Sequence, residues 1–432
     1  MSDEQKSDVQ KSDVQKKLAT LSSMQGLMTG AQWKGKAKEE IVTRDEGGFE
    51  IDRIVPGEVH VVEEDEFYLV RQDFLLSTQH GDLTLGDGLN VEGRHISLSA
   101  NDTELAEFDP RTAVFIDTET TGLMGGTGTV AFLVGVGYFV DDVFRLDQCF
   151  MRDYDDEEGM LKYLDTLFQK AETLVSFNGK SFDLPLLRTR FITNRIPFRL
   201  ESTLHFDLVH ASRRFWKKRL KDCSLGNIEK EIMGIQRVGD VPGYEIPTIW
   251  LEYLHSRDAR KLKGVFYHHQ MDILSLATLT GHLSQCIDQP DGEGFVHHED
   301  RLSLMRIHYQ QKKYDDVLHL SETLLDTLTE TGLRRECLHM IGFATKRRAD
   351  FPRMEQIWKQ CLTEFPRDLT ARLELAKHYE HRAKDLPKAA KLCEDALTYI
   401  ETRTQLGTLH AADYQQAGFQ KRLERIQKKL NR

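Results

Sequence analysis

The sequence predicts a mixed α/β unit followed by an all-helical repeat region, and three observations carry that prediction. Between about 105 and 287, three β-type runs come first ("TAVFID", "VAFLVGVGYF" and "VFRLDQCFM"), and helix and strand patterns then alternate. After about 300 the strand signal vanishes and apolar residues recur at helical spacing. Within that stretch Tyr309, Phe343 and Tyr379 stand 34 and 36 residues apart, each in a segment with the pattern of paired helices.

The bulk properties narrow the class. A chain of 432 residues has room for two or three domains with cores of their own. No run of about 18 apolar residues occurs, so no membrane-spanning helix is expected. The opening "MSDEQKSDVQKSDVQKK" lacks a basic-then-apolar signal pattern, which argues against secretion. Cys149, Cys223, Cys286, Cys337, Cys361 and Cys393 are scattered without a CxxC pair. That predicts a reducing, cytoplasmic compartment and argues against a disulfide framework or a cysteine zinc site. With a net charge of −11, nucleic-acid binding would have to depend on a local basic surface.

In chain order, the pentad "SDEQK SDVQK SDVQK" is polar and repetitive, and residues 1–45 read as a disordered tail. Leu18, Leu21, Met24 and Met28 fall at helical spacing within it and predict a short helix. Residues 46–104 show short β-type runs broken by Gly, Pro and Asp, and read as a small β-rich lead-in. In the unit at 105–290, the three strands are followed by a helix around 157–171 with Met160, Leu161, Leu164, Leu167 and Phe168 on one side. Next come the strand "TLVSFN" and a helix opening at "SFDLPLLRTRF", where Pro185 suits a first turn. Residues 300–432 read as tetratricopeptide-like helical repeats, a form suited to docking a protein partner.

Asp117 and Glu119 end the first of the three strands. Residues two apart on a strand face the same way, so two like charges stand side by side at the edge of a buried element. Such a pair repels and is costly to desolvate, which calls for a positive group between them. Asp183 lies just after a strand at a helix start, and Asp272 lies on a helix beginning with aromatics and histidines. All of these positions are ends of elements, where sites on α/β sheets gather. Taken singly, a D-x-E is common, an Asp placed like Asp183 is more often a helix N-cap than a ligand, and one placed like Asp272 is more often a solvated helix residue. Together, four oxygen donors suit hard divalent ions, Mg²⁺ or Mn²⁺. A pair of such ions about 4 Å apart supports phosphodiester cleavage.

"FIDTETTGL", "FNGKSFDLPLL" and "HHQMDILSL" resemble the three motifs of the DnaQ-like, or DEDD, 3′–5′ exonucleases, and most of all their YprB-type ribonuclease H-like branch. "GTGTVAFLVGVGYF" and "FDLVHASRRFWKKRLKDCSLGNIEKEI" extend the resemblance over roughly 110–287. It implies a ribonuclease H-like mixed sheet with flanking helices, and two metal ions held by Asp117, Glu119, Asp183 and Asp272. These enzymes carry a Tyr four residues or a His five residues before the last Asp, to orient or deprotonate water. This chain has Tyr267 at minus five and His268 at minus four, the reverse of both. On a helix four residues back is about 40° away and five back about 140°, so His268 shares the face of Asp272. His269, three back at about 60°, stays open as the alternative. A histidine near neutral pKa suits a general base, and the helix geometry favours His268.

Substrate contacts are expected from several places. "GLMGGTG" at 122–128 reads as a glycine-rich turn whose slim backbone lets a terminal nucleotide approach Asp117 and Glu119. By resemblance, Thr120, Gly122, Leu123, Asn178 and Phe182 line that approach. "HASRRFWKKRLKDCSL" gathers Arg213, Arg214, Lys217, Lys218, Arg219 and Lys221 around Phe215 and Trp216. It reads either as an exposed track for phosphates with rings for base stacking, or as an amphipathic helix with buried rings. No GxxxxGK[ST] loop is present, which argues against an NTPase. The function expected is a metal-dependent 3′–5′ exonuclease on single strands. A structure-specific endonuclease of the same fold and a non-catalytic binding adaptor stand as alternatives, and nothing distinguishes DNA from RNA.

Overall fold

The computed structural model describes residues 49–122, 128–290, 292, 297–406 and 413–431. The tail and short helix expected within 1–45, and residues 123–127 of the expected glycine-rich turn, Leu123 among them, lie outside the described residues. The strands are β1 (Glu58–Val62), β2 (Asp65–Leu75), β3 (Gln79–His80), β4 (Leu83–Thr84), β5 (Ala113–Thr120), β6 (Ala131–Val140), β7 (Val143–Phe150), β8 (Thr173–Ser176) and β9 (Leu204–Asp207). The helices of the first part are α1 (Ile51–Ile54), α2 (Gly93–Ala100), α3 (Glu157–Phe168), α4 (Asp183–Thr193), α5 (Leu208–Trp216), α6 (Leu225–Ile232), α7 (Ile246–Ser256) and α8 (Leu262–Asp288). Those of the second are α9 (His298–Gln310), α10 (Tyr314–Thr327), α11 (Thr331–Arg347), α12 (Phe351–Glu364), α13 (Leu369–His381), α14 (Leu386–Gln405) and α15 (Asp413–Leu430).

Among the described residues, seven strands form one mixed sheet in the order β1-β2-β7-β6-β5-β8-β9. The first four pairings are antiparallel, and β5–β8 and β8–β9 are parallel. Three antiparallel strands followed by two parallel ones reached through helices is the ribonuclease H-like arrangement the sequence predicts. Two features go beyond it. Strand β9 is a short run, "LHFD", with no periodicity to announce it. The lead-in region supplies two further strands to the same sheet, with Tyr68–Leu75 of β2 paired against Val143–Phe150 of β7. Arg71 on β2 fastens that join, donating to the fully buried Asp147 of β7 at 2.6 and 3.0 Å.

Each face of the sheet is covered. One packs Val114, Ile116, Phe132, Val134 and Val136 against α3, α4 and α7 through Leu161, Leu187 and Trp250. The other packs Phe115, Phe144, Leu146 and Val175 against α8 through Ile273, Leu276 and Ala277. That second core runs on into Leu302, Met305 and Val317 of α9 and α10, so the helical region shares apolar contacts with the α/β unit. From α9 to α15 each helix packs on the next. Tyr309, Phe343 and Tyr379 all fall near the ends of the odd-numbered helices α9, α11 and α13, so the spacing seen in sequence corresponds to successive helix pairs.

Helix α8 comes unusually close to the sheet, and the "GVG" of β6 is the reason. Asp117 pairs directly with Gly135, and the ring of His269 lies over that glycine. A Cβ at Gly135 would stand 2.5 Å from His269 Cε1, and one at Gly137 would stand 2.7 Å from Ile273 Cγ2. Any side chain here would lift α8 off β5. Gly135→Ala is expected to destabilise by about 1–3 kcal/mol through overpacking, read by thermal unfolding. Gly226→Ala, at a position with open space around it, is expected to leave stability unchanged or slightly raised.

Candidate active site

The four carboxylates come from three elements. Asp117 and Glu119 project from the end of β5, and the register shifts by one residue just after Glu119, between it and Thr120. Such a bulge re-aims the side chains beside it. Thr120 turns back to donate to the Gly122 carbonyl at 3.0 Å. Asp183 is the first helical residue of α4, with Phe182 as the N-cap, so its carboxylate does not cap the helix. It accepts from Thr118 Oγ1 at 2.5 Å instead. Asp272 lies nearly three turns into α8, on the side of Glu119 of β5.

Ligand atoms of Glu119, His268 and Asp272 all lie within 4.8 Å of one another. Asp117 and Asp183 share their electrostatic field. Burial pushes the Asp117 carboxyl well above its ordinary range, and Asp272, Asp183 and Glu119 add to the push. Glu119 is driven up in the same way, by burial first and then by Asp272 and Asp183. Asp183 is pushed up to about 6, chiefly by burial, although its bond from Thr118 works in the opposite direction. Asp117 nonetheless keeps 21% of its side-chain surface open, so the cluster faces a route to solvent. Converging oxygen donors that repel one another and open to solvent fit a site for divalent cations.

The two histidines of α8 have different surroundings. His269 is fully buried, with Nε2 at 3.0 Å from the Asp117 carbonyl and Nδ1 at 3.2 Å from the Gln148 amide nitrogen. A carbonyl only accepts and an amide NH₂ only donates, so Nε2 carries the hydrogen and the Nδ1 lone pair is occupied. Burial lowers its pKa to about 4. This neutral ring is a structural tie between α8, β5 and β7. His268 is one step round the helix, with 18% of its side-chain surface open and Nε2 3.4 Å from Asp272 Oδ2. Its Nδ1 lies 2.9 Å from both oxygens of Asp240. Tyr267 is half-buried.

Arg237 and Asp240 were not among the residues picked out by the sequence. Arg237 donates to Asp272 Oδ1 at 2.5 Å and grips Glu229 of α6 with two bonds of 2.7 and 2.5 Å. It is the cation that partly offsets the charge on Asp117 and Glu119. The one available signal was a charged pair inside the Gly- and Pro-containing segment "QRVGDVPG".

The expected substrate contacts divide. Phe182 is 58% exposed beside Asp183. Asn178 adopts a left-handed backbone with φ of 69°, and its N–H donates to Asp207 of β9 at 2.7 Å. On α5 and just beyond it, Arg213, Lys217 and Lys218 are exposed, while Arg214 is half-buried and reaches Gln310. Phe215 and Trp216 are fully buried. The stacking role considered for them is therefore corrected: their rings lie inside the core, on the apolar face of the amphipathic helix. Arg219 is likewise spent on Asp300 of α9, at 2.7 Å.

Residues 114–284 match the RNase_H superfamily, a span that opens in β5 and closes in α8. The uncharacterized protein YprB of Bacillus subtilis (strain 168) is 30% identical over 347 residues, covering 78% of this chain and 81% of YprB. The chain belongs to this RNase H-like family. The likeness to YprB is too long to be confined to the α/β unit, so it takes in sequence outside that unit as well. Among solved structures, the family B DNA polymerase from the hyperthermophilic archaeon Pyrobaculum calidifontis aligns with 57% of this chain and 34% of its own, at 13% identity and a TM-score of 0.33. As an RNase H-like nuclease fold, the α/β unit is of a kind that acts on nucleic acid and usually employs divalent metal. No helix among the described residues is long and apolar enough to cross a membrane.

The raised carboxyl pKa of Asp183 carries a pH dependence. A carboxylate whose folded pKa exceeds its unfolded one contributes stability at low pH that is lost as pH rises through the folded value. In EDTA, Asp183→Asn is expected to be more heat-stable than the wild type at pH 7.5. Its advantage should shrink between about pH 6 and the ordinary carboxylate value of 3.8. Added Mn²⁺ should stabilise the wild type more than the variant. Differential scanning fluorimetry over pH, with and without Mn²⁺, checks both.

Proposed function

We infer that this chain is a metal-dependent 3′–5′ exonuclease that hydrolyses phosphodiester bonds of single-stranded nucleic acid. In this reading Asp117, Glu119, Asp183 and Asp272 hold two divalent cations, Mg²⁺ or Mn²⁺, and His268 is the general base. The observation that carries it is the meeting of Glu119, His268 and Asp272 ligand atoms within 4.8 Å, in a field shared with Asp117 and Asp183. Bound divalent cations make water more acidic and steady the charge on a departing oxygen.

The chain's own groups do the rest. Thr118 engages Asp183 through Oδ1, and Arg237 engages Asp272 through Oδ1. The Oδ2 atoms are the oxygens left to serve as ligands. His268 presents Nε2 on the Asp272 side, where it can accept a proton from water. His269, with both ring nitrogens bonded, cannot. Phe182 offers an exposed ring for a terminal base beside Asp183. Thr120, Gly122 and Asn178 supply nearby backbone and polar contacts. Arg213, Arg214, Lys217 and Lys218 supply positive charge for the phosphates of the trailing strand. On the same reading residues 105–290 are the catalytic unit, and the tetratricopeptide-like helices of 300–432 dock a protein partner in the cytoplasm.

Purified protein tested on DNA and RNA, single- and double-stranded, with 3′ ends free or blocked, decides the reading. Shortening of linear single strands from a free 3′ end, abolished by EDTA, is expected. Cutting of circular single strands would point to the endonuclease instead, and binding without turnover on any substrate to the adaptor. Asp117→Ala and Asp183→Asn are each expected to abolish turnover with the fold kept by circular dichroism.

His268→Ala should lower kcat by at least about 100-fold while calorimetric Mn²⁺ binding is largely kept. A collapse of Mn²⁺ affinity in that variant would make His268 a ligand rather than a base. Phe182→Ala is expected to raise KM severalfold for single strands with kcat little changed.

A further inference from the structure

The residues between α6 and α7 send two charged side chains to the groups of α8, and neither belongs to the carboxylate set. We propose that Asp240 is a positioning residue for His268: it keeps the imidazole hydrogen on Nδ1, so that Nε2 holds its lone pair toward Glu119 and Asp272. The effect on rate rests on the nuclease reading above, but the hydrogen position does not.

Two neighbours compete for His268 Nδ1. Both oxygens of Asp240 lie at 2.9 Å, and Arg237 Nη1 lies at 3.4 Å. A guanidinium only donates and a carboxylate only accepts, so one of them must face the wrong partner. If Nδ1 were the lone pair, it would face both carboxylate oxygens of Asp240 at 2.9 Å, lone pair against lone pair with no hydrogen between them. With hydrogen on Nδ1, the closer contact becomes a charge-assisted bond. The distances decide for Asp240, because the carboxylate oxygen facing the other nitrogen, Asp272 Oδ2, stands farther off, at 3.4 Å from Nε2. A free neutral imidazole carries its hydrogen mainly on Nε2, so without this carboxylate the nitrogen facing the cluster would lose its lone pair.

Asp240 is itself held in place. Val241 N–H donates to its Oδ1 at 2.9 Å, and Arg237 Nη1 reaches its Oδ2 at 3.3 Å. Arg237 in turn is fixed by the two bonds to Glu229, whose Oε1 also accepts from Ser275 Oγ at 2.5 Å. A linked set of bonds thus runs from α6 through one arginine to both Asp240 and Asp272. Arg237 fixes the aspartate, and Asp240 fixes the histidine. A carboxylate that accepts from the far nitrogen of an imidazole in this way sets its tautomer, and Asp240 does so with 18% of its side-chain surface open.

The test uses full-length protein with ¹⁵N-labelled histidine, and two-bond ¹H–¹⁵N correlation to read the tautomer. The His268 signals are assigned by their loss in His268→Gln. In the wild type Nδ1–H is expected, and in Asp240→Asn a shift toward Nε2–H. In that variant kcat should fall by about 10²- to 10⁴-fold, with KM and Mn²⁺ affinity unchanged, and Asp240→Glu should recover part of the loss. Wild-type His268 found with its hydrogen on Nε2 would overturn the proposal without any variant, as would an unchanged tautomer in Asp240→Asn. If the wild type shows no nuclease activity, the function reading fails and the tautomer measurement still decides this one.

Discussion

Helix α8 lies so near the sheet that an imidazole ring takes the place of a missing side chain. Gly135, directly opposite Asp117, leaves the room, and His269 fills it while bonding the Asp117 carbonyl and Gln148. This contact sets the height and rotation of the helix. With His269 turned down onto the sheet, His268 and Asp272 fall on the flank that faces the end of β5. A helix displaced by one residue would carry Asp272 away from Asp117 and Glu119 and leave them only Asp183 for a shared cation. The buried histidine is thus as necessary to the site as the groups that would touch substrate, although it has no chemistry of its own to contribute.

The arrangement brings a cost that the fold must absorb. Burial holds Asp117, Glu119 and Asp183 above their ordinary pKa, and the charges of Asp272 and Asp183 add to the rise at Asp117 and Glu119. Thr118 and Arg237 limit the cost by giving one oxygen of Asp183 and one of Asp272 a fixed donor. The remaining charge is what would attract cations. Local stability is given up at the place where cations would bind, a trade common to preorganised polar sites.

What the sequence made legible follows from how far each signal travels along the chain. The three strands of β5 to β7, the helix α3 and the opening of α4 are local patterns of period two or 3.6, and they are found where the patterns lie. Asp117 with Glu119 could be seen because strand alternation puts them on one face, and His268 with Asp272 because helix periodicity does the same. Strand β9 is four residues long and has too few positions to show a period. The pairing of β2 with β7 joins residues more than 60 positions apart, and nothing local records it. Arg237 and Asp240 escaped notice for the same reason: their partners, Glu229, His268 and Asp272, are fixed by tertiary contact. On α5 the composition alone allowed rings in or rings out, and burial of Phe215 and Trp216 against the α8 and α9 side decided it.

The central claim is that four carboxylates from β5, α4 and α8 form one cation site. Anomalous diffraction at the manganese edge, from crystals soaked in Mn²⁺, tests it most directly. The account predicts peaks at the end of β5, with oxygens of Asp117, Glu119, Asp183 and Asp272 at about 2.0–2.2 Å. Manganese bound elsewhere, or peaks there without Asp183 or Asp272 among the ligands, would contradict it.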